Sequence, residues 1–313
     1  MGVKLLSSLL KAYCSDVVEK HHMSDLFGKK ICIDSMIYLY RFKSQDALIE
    51  KFYLLCTLLK HYNITPLFVF DGKPPEEKKG EIMKRRKDRK EAKEKYYKLQ
   101  EYYGNNPTKD EEDKLQQIKR KMTYITHFDI VTIQNLIQFY GMKYIVAKGE
   151  ADRLCASLVL KKKVYAVLTE DMDLFALGSP IVLRYISLSN HTYLSYDLSK
   201  ILNKLDMSLD DFQYLCVLSG NDYYKTNKNI FNYMKMYKRY KKNSIKNKNN
   251  FNNWLLNNNT ITIEQSYGIE NALNMYKDVK KEINNYKYFA IRIGYVDKTR
   301  LFDILHKDRF IFV

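Results

Sequence analysis

The sequence predicts an α/β fold with a mainly parallel central sheet flanked by helices, and three observations predict it. Four short apolar runs with little polar alternation, at 30–33, 66–70, 143–147 and 164–169, have the character of buried strands. Segments of helical period, such as 47–61 and 130–140, fit crossovers between them. Each run ends in acid.

In chain order, Lys30-Ile31-Cys32-Ile33 ends in Asp34, and Pro66-Leu67-Phe68-Val69-Phe70 ends in Asp71. Lys143-Tyr144-Ile145-Val146-Ala147 runs into Gly149-Glu150-Ala151-Asp152, and the run at 164–169 into Glu170-Asp171-Met172-Asp173. One Asp after a strand is ordinarily the N-cap of the next helix. Four runs doing so together, two with acid-x-acid pairs, point to a shared site, because function in such sheets gathers beyond the carboxyl ends of the strands. Carboxylates crowded at one edge repel each other unless cations neutralise them. No His or Cys stands near them, and the adjacent His21 and His22, which lack metal-ligand spacing, read as exposed loop residues. An all-oxygen set suits Mg²⁺ or Mn²⁺ rather than Zn²⁺. In a basic chain it fits two-metal hydrolysis of phosphodiesters.

The chain has 313 residues, 46% of them hydrophobic, and a formal net charge of +17. That composition excludes collagen-like, disordered and disulfide-scaffold classes and makes nucleic acid the leading partner. Five Cys without C-x-x-C spacing suggest reduced thiols in an intracellular protein. The longest apolar stretch, 52–59, is too short to cross a bilayer, so no membrane partner and no signal peptide are expected. The charge is localised: residues 73–98 hold twelve basic and six acidic residues, and 225–248 hold nine basic and none acidic. Each run alone reads as a solvated helix face; two beside a probable site favour a nucleic-acid footprint. An Asn/Lys-rich stretch at 243–259 reads as a low-complexity, mobile insertion or frayed connection. No Pro follows Pro180, so the last third is expected to be mainly helical.

Further motifs carry a family resemblance. They are Met1-Gly2-Val3, Phe27-Gly28-Lys29-Lys30, Phe68-Val69-Phe70-Asp71-Gly72-Lys73-Pro74-Pro75, Gly149-Glu150-Ala151-Asp152, Thr169-Glu170-Asp171-Met172-Asp173, Gly178-Ser179-Pro180 and Leu218-Ser219-Gly220-Asn221-Asp222-Tyr223. In this order and rough spacing the chain resembles the flap endonuclease branch of the XPG superfamily of structure-specific 5′ nucleases, over residues 1–224.

The resemblance implies a PIN-like 5′-nuclease fold with a nuclease core at 1–224. That core divides into an N-terminal part at 1–99, a basic helical arch at 73–121 and an internal part at 122–224. Residues 225–313 would form a mostly helical DNA-binding region. Two Mg²⁺ ions are implied, replaceable by Mn²⁺: one held by Asp34, Asp71, Glu150 and Asp152, the other by Asp171, Asp173 and Asp222. Asp222 enters by the resemblance alone, and Asp152 stands where the family commonly has Glu. Lys78 and Arg85 match the arch cations that reach the scissile phosphate; the plainer alternative is that they only collect phosphates. With Arg89 they recur at helical spacing. Tyr40 matches a ring that stacks on a nucleotide, with a core tyrosine as the alternative, and Arg184 matches an arginine near the metals.

Two features depart from the family. Its Gly-x-Gly-Pro hairpin, often with K⁺, is replaced by Lys225-Thr226-Asn227-Lys228, so the K⁺ site is not carried over and basic side chains would take its place. No Gln-initiated clamp box lies near Phe310-Ile311-Phe312-Val313, so sliding-clamp recruitment is not carried over either. The expectation is a monomeric Mg²⁺-dependent nuclease cutting 5′ flaps, nicked or branched DNA in the nucleus or another replication compartment. DNA contacts are expected at Tyr40, Lys73, Arg89, Arg184, Lys225 and Lys228. A related 5′–3′ exonuclease, a PIN-like ribonuclease and a silent branched-DNA scaffold are the alternatives.

Overall fold

The computed structural model describes residues 2–74, 76–104, 106–221, 224–226, 228–244, 250–286 and 290–307. Helix α1 (Leu6–Tyr13) and strand β1 (Val18–His22) precede β2 (Lys30–Asp34), the first of the expected strands. β2 turns directly into α2 (Ser35–Lys43), and α3 (Leu48–His61) returns the chain to β3 (Thr65–Phe70). Two long polar helices follow, α4 (Lys79–Tyr103) and α5 (Lys109–Met122), before α6 (His127–Phe139) leads into β4 (Lys143–Val146). Helix α7 (Ala151–Leu160) crosses to β5 (Ala166–Leu168), and the single turn α8 (Asp173–Ala176) precedes the hairpin of β6 (Ile181–Ser187) and β7 (Thr192–Asp197). The described remainder is mainly helical: α9 (Leu198–Leu205), α10 (Leu209–Leu218), α11 (Ile230–Ser244), α12 (Phe251–Asn257), α13 (Ile263–Asn274) and α14 (Lys298–Lys307).

Among the described residues the strands form one sheet in the order β1-β7-β6-β5-β2-β3-β4. The five strands from β6 to β4 run parallel, and β7 and β1 add to the edge antiparallel. The apolar runs reveal the parallel centre; the antiparallel edge escapes them because its strands are only partly buried. β1 reads Val-Glu-Lys-His-His, so His21 and His22 belong to an edge strand, not a loop. His21 lies 3.1 Å from both Glu19 and Asp25.

The period of two sends alternate strand residues into opposite layers. Ile31, Ile33, Phe68, Phe70 and Leu168 meet α2, α3, α6 and α14, whereas Cys32, Leu67, Val69 and Val167 meet α1, α7 and α10–α13. Residues beyond 224 thus pack into the same two layers as those before it. All five cysteines are buried and free. No helix among the described residues is long and apolar enough to cross a membrane.

The Asn/Lys-rich stretch needs a correction. Residues 245–249 lie outside the described residues, but α12 is a regular helix within it. Phe251, Trp254 and Leu255 recur at i, i+3 and i+4; Phe251 and Leu255 are fully buried, and the Asn250 side chain caps the helix through the Asn253 N–H. The Asn background hides that stripe in composition.

Candidate active site

Parallel strands present their carboxyl ends at one edge, so the acids after β2, β3, β4 and β5 gather there. Asp34 ends β2 and precedes the first turn of α2, yet its side chain makes no cap hydrogen bond. It accepts instead from Thr169 Oγ1 at 2.8 Å. Glu150 is the N-cap residue of α7, also without a side-chain cap bond, and takes Lys78 Nζ at 2.7 Å. The ordinary capping explanation therefore fails for both. Asp71 accepts from the Ala151 N–H at 2.8 Å, and Asp152 from the Arg153 N–H at 2.6 Å. Asp171 Oδ1 accepts from the Asp173 N–H, and Asp173 Oδ1 from the Val3 N–H, each at 2.9 Å. Positive N-terminal ends of α2 and α7 offset part of the repulsion.

Two glycines make the approach possible. A Cβ on Gly72 would stand 1.8 Å from the Ala147 carbonyl oxygen, so glycine lets the chain cross the exit of β4 just after Asp71. Gly2, at φ +80°, lays its backbone on the acid pair: a Cβ there would be 2.7 Å from Oδ1 of both Asp171 and Asp173.

The acids raise one another's affinity for protons. Burial, then the charges of Asp71 and Asp171, hold the Asp34 carboxyl well above the usual range. Burial and then Glu150 push Asp152 up to about 7, with Lys78 opposing. Asp71, open to water at the rim, is raised by the protein packed around it and by Glu150 and Asp171, against the Ala151 N–H and Lys78.

Among the described residues no group of three or more acids, His or Cys closes into a metal cage, and Asp222 lies outside the described residues. The donors still fit a hard divalent cation. They are all oxygen, their repulsion is what a cation would relieve, and Lys78 Nζ already stands beside Glu150 as the protein's own cation.

The polar helices α4 and α5, in the segment expected to be the arch, pack on each other. Lys78 closes the 3₁₀ turn Glu76–Lys78 before α4 and is buried against the acids. Arg85 and Arg89 follow on the same face and, with Tyr40, line a cleft of about 660 Å³. Tyr40 is 40% exposed, which excludes the core-tyrosine alternative. Arg89 lies over the Tyr124 ring at 5.0 Å, and Lys73 is exposed. Lys95, Arg120 and Lys121 share the cleft and were not singled out from sequence; the basic last turn of α5 is the signal for Arg120 and Lys121, and Lys95 lies within the basic run along α4.

Arg184 needs a correction. It is 4% exposed and turned inward, its Nη2 donating to the Glu170 carbonyl at 3.0 Å and its Nε 3.7 Å from the Glu170 carboxylate. The carboxylate and two aromatic rings, Tyr185 and Tyr196, occupy it, so it presents no charge to DNA. Thr169 and Glu170, the residues that hold Asp34 and Arg184, carry no sequence signal beyond standing next to the acid pair. Lys225 and Lys228 are exposed; Lys228 Nζ donates to the Thr260 carbonyl at 3.2 Å.

Residues 1–92 match the XPG N-terminal domain and residues 141–222 the XPG I-region. Flap endonuclease 1 of Xenopus tropicalis is 30% identical over 249 residues, 74% of this chain and 63% of that protein. The Aedes aegypti Flap endonuclease 1 is 33% identical over 242 residues, 71% of this chain and 62% of that one. The chain thus spans a little under two thirds of the length of these curated relatives. Among solved structures, the catalytic core of Rad2 in complex with DNA substrate (complex III) matches with a TM-score of 0.70 at 21% identity, covering 98% of this chain and 95% of that one. Flap endonuclease-1 from Methanococcus jannaschii matches at 0.59 and 21%, covering 98% and 94%. At that identity the likeness is one of fold.

Proposed function

The chain belongs to the XPG superfamily, and from that premise we propose that it is a divalent-metal-dependent 5′ nuclease acting on branched DNA. Its main substrate is a 5′ flap, with 5′ exonuclease action at nicks and ends. One observation carries the reading: Lys78, from the base of the arch, lies 2.7 Å from Glu150 of the acid edge. A phosphate-seeking cation and a cluster of carboxylates are a poor pair for a binding module, which gains nothing from repelling phosphate at its centre. They suit an enzyme that draws a phosphodiester to a charged edge and hydrolyses it.

In this reading Asp34, Asp71, Glu150, Asp152, Asp171, Asp173 and Asp222 hold two Mg²⁺ ions. Bound there, the ions would supply Lewis-acid chemistry for phosphodiester hydrolysis. Lys78 and Arg85 bind the scissile phosphate and offset charge growing on its oxygens, a stabilisation greatest in the transition state. Water attacks phosphorus and the 3′ oxygen leaves, giving a 5′-phosphate and a 3′-hydroxyl. Tyr40 stacks on a base beside the scissile bond, and Lys73, Arg89, Lys225 and Lys228 hold the backbone through charge, so binding falls steeply with salt. In the same reading it acts as a monomer, in a compartment where DNA is replicated or repaired.

The test compares labelled 5′-flap, nicked duplex, bubble and single-stranded DNA, and a matching RNA, with Mg²⁺ or EDTA. Mg²⁺-dependent cutting at the flap junction is expected. Preference for nicked ends would move the reading to an exonuclease, and RNA cleavage to a ribonuclease. Flap binding without cutting under any divalent ion would leave a scaffold.

A further inference from the structure

One strained residue stands at the carboxylate edge. β6 is parallel to β5 and last paired with it at Leu168↔Leu183, so residues 184–187 run past the end of β5, on the side where the acids gather. The register against β7 shifts between Arg184 and Ser187. Inside that irregularity Tyr185 has φ +54°, the left-handed region that a bulky residue enters only at a cost.

The surroundings over-determine this conformation. Glu170 Oε1 accepts the Tyr185 N–H at 2.8 Å. Arg41, the neighbour of Tyr40 on α2, lies 3.6 Å from the same oxygen and 3.4 Å from the Ile186 carbonyl. Arg184 lies across the Tyr185 ring, its Cζ 4.6 Å from the centroid, and is itself fixed to Glu170. Yet Tyr185, whose backbone and ring are held in this way, is 47% exposed. A buried arginine, a carboxylate next to Asp171 and a strained backbone together fix one aromatic ring in solvent.

We propose that Tyr185 is a nucleobase-stacking platform: its open face receives an unpaired base of the DNA substrate while Arg184 supports the ring. This rests on the nuclease reading above. Stacking accepts every base, as a structure-specific enzyme requires, and a ring already fixed loses little freedom on binding. Arg184 then serves DNA through Tyr185 instead of touching it.

The test uses Tyr185→Ala, Tyr185→Gly and Tyr185→Phe on the full chain, with Ca²⁺ replacing Mg²⁺. Affinity is measured for a 5′-flap DNA carrying 2-aminopurine in its single strand and for a fully paired duplex. Tyr185→Ala and Tyr185→Gly should each weaken flap binding roughly tenfold and abolish part of the 2-aminopurine quenching, while duplex affinity holds. Tyr185→Phe, which keeps the ring, should rescue both. Glycine adopts this φ without strain, so Tyr185→Gly should melt no lower than wild type, which separates a lost platform from a lost fold. If wild type binds the flap and Tyr185→Gly binds it equally well, the platform is wrong. A wild-type protein that binds no DNA overturns the nuclease reading, and the platform with it.

Discussion

The acid edge and the arch carry opposite charge, and they are built by opposite means. The acids stand at or just beyond the ends of the strands, and three are fixed by bonds from elsewhere in the chain: Asp34 by Thr169, Asp71 by Ala151 and Asp173 by Val3. The arch cations are placed by the periodicity of a single helix, in which Ala92 is the buried apolar residue among those described. The acids are therefore set before any substrate arrives, at the cost of mutual repulsion. Lys78 belongs to both regions, at the foot of the arch and in contact with Glu150.

The contrast breaks most visibly at Asp171. Replacing it with Ala should lower single-turnover flap cleavage on the order of a thousandfold, about 4 kcal/mol, with flap affinity largely kept. Cleavage at the wild-type rate in Mg²⁺ would remove Asp171 from the chemistry. Next in size is Gly72→Ala, which forces a methyl against the Ala147 carbonyl where β4 ends. Urea denaturation should show a loss of about 3 kcal/mol, since backbone on both sides leaves nothing to yield. A loss under ~0.5 kcal/mol would mean that the edge is softer than its hydrogen bonds suggest.

Lys78→Met tests the residue shared by both regions. The cleavage rate should fall about a hundredfold while affinity for the flap changes less than about threefold. A change confined to affinity would make Lys78 a phosphate collector, and the arch a purely electrostatic device.

How much of this was legible in the sequence follows the same divide. The acid edge was readable because apolar runs 30–33, 66–70, 143–147 and 164–169 each end in carboxylates, and parallel strands must bring those ends together. Arg85 and Arg89 were readable because helical spacing needs no tertiary information. What escaped depends on contacts across the chain. Arg184 entered by the resemblance, as the match to an arginine near the metals; only the fold shows Glu170 reaching it first. The antiparallel edge escaped because β1 is half-exposed and polar, and α12 because three apolar residues were lost among asparagines.

A smaller effect is expected from pH on the metal-free protein. Asp34, Asp71 and Asp152 have carboxyls raised above their unfolded values, so the folded chain holds these protons more tightly than the unfolded one. The stability this contributes is complete below the unfolded values, near pH 4, and is lost as pH rises through the folded ones, about 7 for Asp152. In EDTA the melting temperature should drop by about 5 °C between roughly pH 5.5 and pH 8. Mg²⁺ should restore much of the loss at the higher pH, and Asp152→Asn should flatten the profile. A flat profile for wild type would mean that neither burial nor repulsion raises these carboxyls.

The smallest effect lies farther along α4, where Lys87 and Glu91 form an exposed pair of the same chemistry as Lys78–Glu150. Their charged atoms are 3.9 Å apart, with side chains 78% and 62% exposed, against 2.7 Å and 11% and 16% for the Lys78–Glu150 pair. Water and salt screen the exposed pair, and ordering two long side chains cancels most of the attraction that is left. Glu91→Ala should therefore change stability by about 0.5 kcal/mol or less, measured by urea denaturation, with cleavage unaffected. The same Lys–Glu pairing is then incidental where it is exposed and, in the proposed reading, functional at the foot of the arch, and burial beside the acids makes the difference. A loss above ~1 kcal/mol at Glu91 would undo that contrast, because the arch would then depend on its surface charges for its shape as well as for its grip on DNA.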